Sequence, residues 1–166
     1  MLKGESGGLV GLFGSVGKDR YGEKFEELLI HEEIQPIFEK IEGVSTGMCL
    51  VYVNNKDRGH ITDLAASTLI TKKFYLENLD TLKNVDLIYS ELFIIKHKRQ
   101  MLFDLAELML DKSKLFGFNL PSFWFIETFL NDIISLIEYA DVLFSNAAEA
   151  QFFSKLAFSS VNIGLN

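Results

Sequence analysis

The chain has 166 residues, with 16 Lys+Arg against 23 Asp+Glu and a formal net charge of −7. That length suffices for one domain burying roughly 70% of its unfolded surface, so no disulfide or metal staple is needed, and the acidic balance excludes a protein that tracks nucleic-acid phosphates along a basic stripe. Apolar residues at 48% and only two prolines exclude a disordered chain, while fifteen phenylalanines and a mean hydropathy of +0.17 call for a thick core or for something further to pack against.

A single cysteine, Cys49, rules out a disulfide framework, and three scattered histidines offer no zinc spacing. A reducing, cytoplasmic setting is the expectation. The uncharged runs Ser6–Gly17, Leu115–Ile126 and Leu156–Asn166 all fall short of the roughly 18 residues a spanning helix requires, so no membrane partner is expected. The first of them is glycine-rich and follows Glu5, which makes it a poor signal-peptide core.

In chain order, Leu9–Phe13 reads as a short strand running into a tight turn, after which Asp19 can cap a helix over Tyr21–Glu33. Ile37–Ile41 and Met48–Val53 read as strands, Asn54–Gly59 as a polar turn, and Ile61–Leu82 as helical with a break near Lys72–Lys73. Val85–Tyr89 and Leu92–Ile95 are strand-like, His97–Lys112 is helical, and Leu115–Asn119 is a strand. Pro121 and Ser122 open a helix carried to about Tyr139; Asp141–Ser145 is a strand and Ala147–Leu156 a helix. Strand centres near Leu87, Phe116 and Val142 lie 29 and 26 residues apart, with a helix-sized amphipathic segment in each gap. That spacing predicts repeated βαβ units and an α/β fold, a Rossmann-like parallel sheet covered by helices, as one domain over 1–166.

Ligands of such sheets bind beyond the carboxyl ends of the strands, where Asn119 and Asn146 fall. Asn146-Ala-Ala-Glu149 admits two readings: an amide and a carboxylate serving the water shell of a magnesium ion beside a nucleotide phosphate, or a helix start in which Asn146 caps and Glu149 completes a capping box. Gly11 to Lys18 is not a P-loop, since Leu12 stands where the first glycine belongs and Asp19 where Ser or Thr would bind magnesium. Arg58 and His60 follow the turn after Met48–Val53; an arginine beside a cleft can clamp phosphoryl oxygens, and a lone one in a polar turn is usually solvated.

Read in order, Phe13-Gly-Ser-Val-Gly17-Lys-Asp19-Arg-Tyr-Gly22, Thr46-Gly47-Met-Cys49, Arg58-Gly-His-Ile-Thr-Asp-Leu64-Ala65-Ala66, Tyr89 to Ile95, Phe118-Asn119-Leu120 and Tyr139-Ala-Asp141-Val-Leu-Phe144-Ser-Asn146-Ala-Ala-Glu149-Ala150 resemble the adenosine kinase branch of the ribokinase-like (PfkB) carbohydrate kinase family, over roughly residues 11 to 157. The resemblance implies a Rossmann-like α/β domain with part of a small β lid, its strands near 37–53, and incomplete at both ends. It implies transfer of the ATP γ-phosphoryl to the 5′-hydroxyl of adenosine to give AMP in purine salvage, with Mg2+ and with ATP as co-substrate. By position, Arg58 matches the arginine that steadies the transferring phosphoryl, and Asn146 and Glu149 match the Asn-x-x-Glu pair that organises magnesium, through water, and the ATP phosphates. Asn119 is similar to the asparagine near those phosphates, and Phe93 and Cys49 would border the nucleoside.

The chain also departs from the family. The segment with the ribose-gripping Asp and the Gly-Ala-Gly-Asp loop that supplies the anion hole and the general base have no counterpart in it. The expectation is that these residues alone do not catalyse. Asp63 and Thr68 replace usual asparagines, Ser90-Glu91-Leu92 replaces a small Ala-Gly step, and Pro121–Trp124 replaces Ser-Ala-Pro-Phe. A sugar kinase of the same family and a non-catalytic nucleotide- or protein-binding remnant are the alternatives. Apolar surface left uncovered would favour self-association and poor solubility.

Overall fold

The computed structural model describes residues 10–55, 57–111 and 113–163. They divide between Tyr75 and Leu76 into two compact units, where the sequence reading expects one domain. No helix among the described residues is long and apolar enough to cross a membrane.

The first unit opens with a βαβ element: strand β1 (Val10–Gly17), helix α1 (Arg20–His31) and strand β2 (Ile34–Ile41), paired parallel from Val10↔Ile34 to Gly17↔Ile41. Leu9, the first residue of the expected strand, lies outside the described residues. The expected cap is in place: Asp19 accepts from the backbone N–H groups of Tyr21 and Gly22 at 3.0 and 2.9 Å. Pro36 lies within β2, tolerable because β2 has one hydrogen-bonded neighbour among the described strands. A hairpin follows, β3 (Met48–Asn54) antiparallel to β4 (Asp57–Asp63).

The strands expected as a lid near 37–53 therefore separate. Ile37–Ile41 belongs to the parallel pair, while Met48–Val53 forms a hairpin with a partner strand where the sequence predicts a turn and a helix start. The turn is shorter than Asn54–Gly59, because Asn55 takes a left-handed conformation at φ 56° and reverses the chain at once. Arg58 and His60 thus stand on a strand, opposite Val53 and Val51. The helical reading of Ile61–Leu82 also breaks up, into the end of β4, a 3-10 turn at Ala65–Thr68 and the short helices α2 (Lys72–Glu77) and α3 (Leu79–Lys83).

The second unit carries β5 (Leu87–Ser90), β6 (Leu115–Asn119) and β7 (Val142–Phe144), all parallel and in the order β5-β6-β7. Helix α4 (Ile95–Leu108) joins the first two, α5 (Phe123–Thr128) and α6 (Leu130–Ile137) join the second pair, and α7 (Ala147–Ile163) follows β7. The one helix expected from Pro121 to Tyr139 is two, parted at Phe129, whose φ of −112° is not helical. Leu92–Ile95, read as strand-like, is a 3-10 turn leading into α4, which is itself kinked at Lys98 (φ −137°, ψ 45°).

Alternation along β6 sets the layers. Phe116 and Phe118 are fully buried among Leu92, Leu102, Phe125, Ile126, Ile133 and Leu136. Leu115 and Gly117 face the other side of the sheet. There Leu87, Tyr89, Gly117, Val142 and Phe144 line an open apolar hollow of about 430 Å³.

Candidate functional site

The recognisable residues of the first unit build a knot of backbone and side-chain bonds. Asp19 Oδ1 accepts from the two helix N–H groups and from Thr46 Oγ1 at 2.7 Å, and Oδ2 accepts from Thr46 N–H at 2.8 Å. Gly17 N–H donates to Thr46 Oγ1 at 3.1 Å, so Thr46 ties the end of β1 to the cap of α1. Ser15 Oγ, buried, donates to the Ala66 carbonyl at 2.7 Å and pins the 3-10 turn to β1. Gly17-Lys-Asp19 and Thr46-Gly47 are therefore structural here. Sequence reasoning found the cap but not the partner, because Thr46 lies 27 residues further along.

These bonds, led by the one from Gly22 N–H and then those from Thr46, hold the Asp19 carboxyl at about 2. A carboxylate held low in the folded state contributes stability that is complete above its ordinary value near 4 and is lost as the pH falls toward 2. Urea midpoints followed from pH 5 to pH 2.5 are expected to drop, and to drop less in Asp19→Asn, which cannot lose that charge. Equal slopes in the two proteins would count against this role.

A hollow of about 240 Å³ adjoins the knot, lined by Ser15, Val16, Phe25, Thr46, Gly47, Met48, Cys49, Thr62, Asp63, Leu64 and Ser67. Cys49 is exposed, pairs with Thr62 across the hairpin and accepts from its hydroxyl at 3.4 Å. Arg58 is exposed near the hairpin turn. Asp63 Oδ1 accepts from Ala65 N–H at 3.2 Å, steadying a residue with a φ of 38° that costs a side-chain-bearing residue strain.

In the second unit, the carboxyl ends of the strands gather Ser90, Glu91, Asn119, Asn146 and Glu149. Asn119 Oδ1 accepts from Leu92 N–H at 3.0 Å and its Nδ2 donates to Glu91 Oε1 at 2.9 Å. Of the two readings of Asn146-Ala-Ala-Glu149, the structure contains the capping box: Glu149 N–H donates to Asn146 Oδ1 at 2.8 Å and Asn146 N–H donates to Glu149 Oε2 at 3.0 Å. One carboxylate oxygen of Glu149 stays outside the box, which suits a contact to a metal through water. No group of three or more His, Cys, Asp or Glu able to hold a metal directly occurs among the described residues. Phe93 packs on Phe125 edge-to-face, with ring centroids 4.8 Å apart, and lies 6.5 Å from Trp124. The candidates thus form two sets, Cys49 and Arg58 on the hairpin of one unit and Phe93, Asn119, Asn146 and Glu149 on the other.

A parallel sheet with a polar carboxyl edge, and a βαβ unit bearing an antiparallel hairpin, are the parts expected of a ribokinase-like kinase. Residues 4–163 match the family described as pfkB family carbohydrate kinase, and the chain belongs to that family. More particularly, the adenosine kinase of Saccharomyces cerevisiae is 27% identical over 150 residues, which span 88% of this chain and 43% of that protein. The structure of Anopheles gambiae adenosine kinase in complex with P1,P4-di(adenosine-5) tetraphosphate is similar at a TM-score of 0.83 and 24% identity, covering 90% of this chain and 45% of that one. A Rhizobium etli CFN 42 protein described as a probable sugar kinase reaches 0.80 at 16% identity, covering 93% of this chain and 50% of that one. The chain spans less than half the length of the yeast relative, and these structures establish the ribokinase-like fold.

Proposed function

We propose that the protein is an adenosine kinase-type phosphotransferase, moving the γ-phosphoryl of ATP to the 5′-hydroxyl of adenosine to give AMP. The observation that supports it is a single family match from residue 4 to residue 163, within which the nucleoside-kinase motifs run in order. Under this reading Arg58 places a permanent positive charge against the transferring phosphoryl, where charge stabilisation does most of the work. Cys49 and Phe93 border the nucleoside. Asn119 and the start of α7, with Asn146 and Glu149, serve the ATP phosphates at the carboxyl edge. Mg2+, when bound with ATP, would neutralise phosphate charge, with Glu149 reaching it through water. The hydroxyl proton needs a base, and no Gly-Ala-Gly-Asp sequence occurs in the 166 residues.

The test is ligand selection by thermal shift. Adenosine at about 100 times its Kd is expected to add about 2.7 kcal/mol to the folded state and to raise the midpoint, while ribose and fructose leave it in place. Arg58→Ala is expected to keep the adenosine shift, because its role lies toward the phosphoryl group. A shift with a sugar and none with adenosine would replace this reading with that of a sugar kinase.

A further inference from the structure

The carboxyl edge of the second unit holds a side-chain pair that the family's small Ala-Gly step would not supply. Asn119 closes β6, and its amide is engaged at both ends. Oδ1 accepts from the backbone N–H of Leu92 at 3.0 Å, which settles which end of the amide is oxygen. Nδ2 then faces Glu91 and donates to Oε1 at 2.9 Å. Glu91 leaves β5 in extended backbone at φ −69° and ψ 121°. Tyr89 stands beside the same carboxylate; burial first, and Glu91 second, push its hydroxyl above the ordinary tyrosine range.

Resting on the adenosine kinase reading, we propose that Glu91 is a positioning residue for Asn119: it accepts a hydrogen bond from one Nδ2–H and so holds the other as a fixed donor for a nucleotide phosphate oxygen. With one bond to Leu92 alone, the amide could still swing. The second bond ends on a carboxylate, is charge-assisted, and locks the amide plane. A donor fixed before the ligand arrives costs no reorganisation when it binds. The same carboxylate repels a polyphosphate. An uncharged acceptor at position 91 therefore keeps the hold and removes the repulsion.

The experiment uses 15N-labelled protein, with the Asn119 side-chain NH2 signals assigned by their loss in Asn119→Asp, and calorimetric titration with ATP in magnesium chloride. Glu91→Ala is expected to shift and broaden the Asn119 NH2 pair and to bind ATP about tenfold more weakly than Glu91→Gln, which lacks the same charge but keeps an acceptor. Glu91→Gln is expected to retain the NH2 pair and to bind ATP as tightly as the unsubstituted protein or more tightly. An Asn119 pair unmoved by Glu91→Ala, or a Gln variant as weak as the Ala variant, would overturn the proposal. Should Glu91→Ala fail to fold, the Gln variant decides, since weaker binding than the unsubstituted protein overturns it. If the unsubstituted protein binds no ATP, the adenosine kinase reading and the phosphate role of Asn119 both fall, and the NH2 pair still reports whether Glu91 holds the amide.

Discussion

Phe118→Ala is expected to cost about 3–5 kcal/mol of stability, the range for emptying a fully buried aromatic site. Phe118 is 0% exposed and lies on the central strand of three, in register with Ser90 on one side and Leu143 on the other. Its ring centroid is 6.1 Å from that of Phe116, and the two are the fully buried side chains that the sheet adds to a core made largely by helices. Neighbours held on strands and helices relax little into the space, so the cavity term adds to the lost transfer energy. The single tryptophan, Trp124, is half-exposed but packs on the core residue Phe125, so its fluorescence follows unfolding in urea. Phe144→Ala, at a position 54% exposed, is the matched control and should cost less than about 1 kcal/mol. Comparable losses at the two positions would contradict a one-sided core.

Gly17→Ala should be nearly as damaging in the other unit, at about 2–3 kcal/mol. A Cβ there would lie 2.4 Å from the Val44 carbonyl oxygen, 2.5 Å from Thr46 N and 2.6 Å from Ser45 C. All three are backbone atoms, so no rotamer change relieves the overlap, and the end of β1 must part from the loop before β3. That movement breaks the Gly17 N–H bond to Thr46 and pulls Thr46 away from Asp19. Gly14→Ala is the contrast, because its Cβ would meet only the Phe38 ring at 3.8 Å. It should be neutral or slightly stabilising, through a less flexible unfolded chain. Urea unfolding of both variants by circular dichroism checks the pair, and equal losses would remove the steric explanation.

The parallel rhythm of the second unit was legible because its strands have a buried side. Leu115–Asn119 has the bounds that the sequence predicts, since Phe116 and Phe118 alternate with residues on the open face. The hairpin of the first unit was half legible for the opposite reason. Every residue of β3 is exposed, so Met48–Val53 shows as an apolar run, while Arg58–Asp63 on its partner has no buried face to betray a strand. Leu92–Ile95 misled because an apolar run of four fits a strand or a turn equally, and the Asn119 bond that ends the strand comes from 27 residues away. At the candidate site, Asn146 and Glu149 were singled out with both readings open. Their pairing is local enough to be read from spacing, whereas the Glu91–Asn119 and Asp19–Thr46 pairs depend on the fold.

Under the proposed phosphotransferase reading, the capping box at the start of α7 sets how a nucleotide phosphate would meet that helix. A phosphate oxygen approaching that helix finds the Asn146 and Glu149 N–H groups already engaged, and only those of Ala147 and Ala148 outside the box. Under that reading, a ligand that uses the Glu149 oxygen outside the box leaves the box intact, whereas one that needs both oxygens must first release Asn146 N–H, its apparent affinity then scaled by the fraction of time the box stands open. For a ligand of the second kind, the first turn of α7 would act as an intramolecular competitor at its own effective concentration.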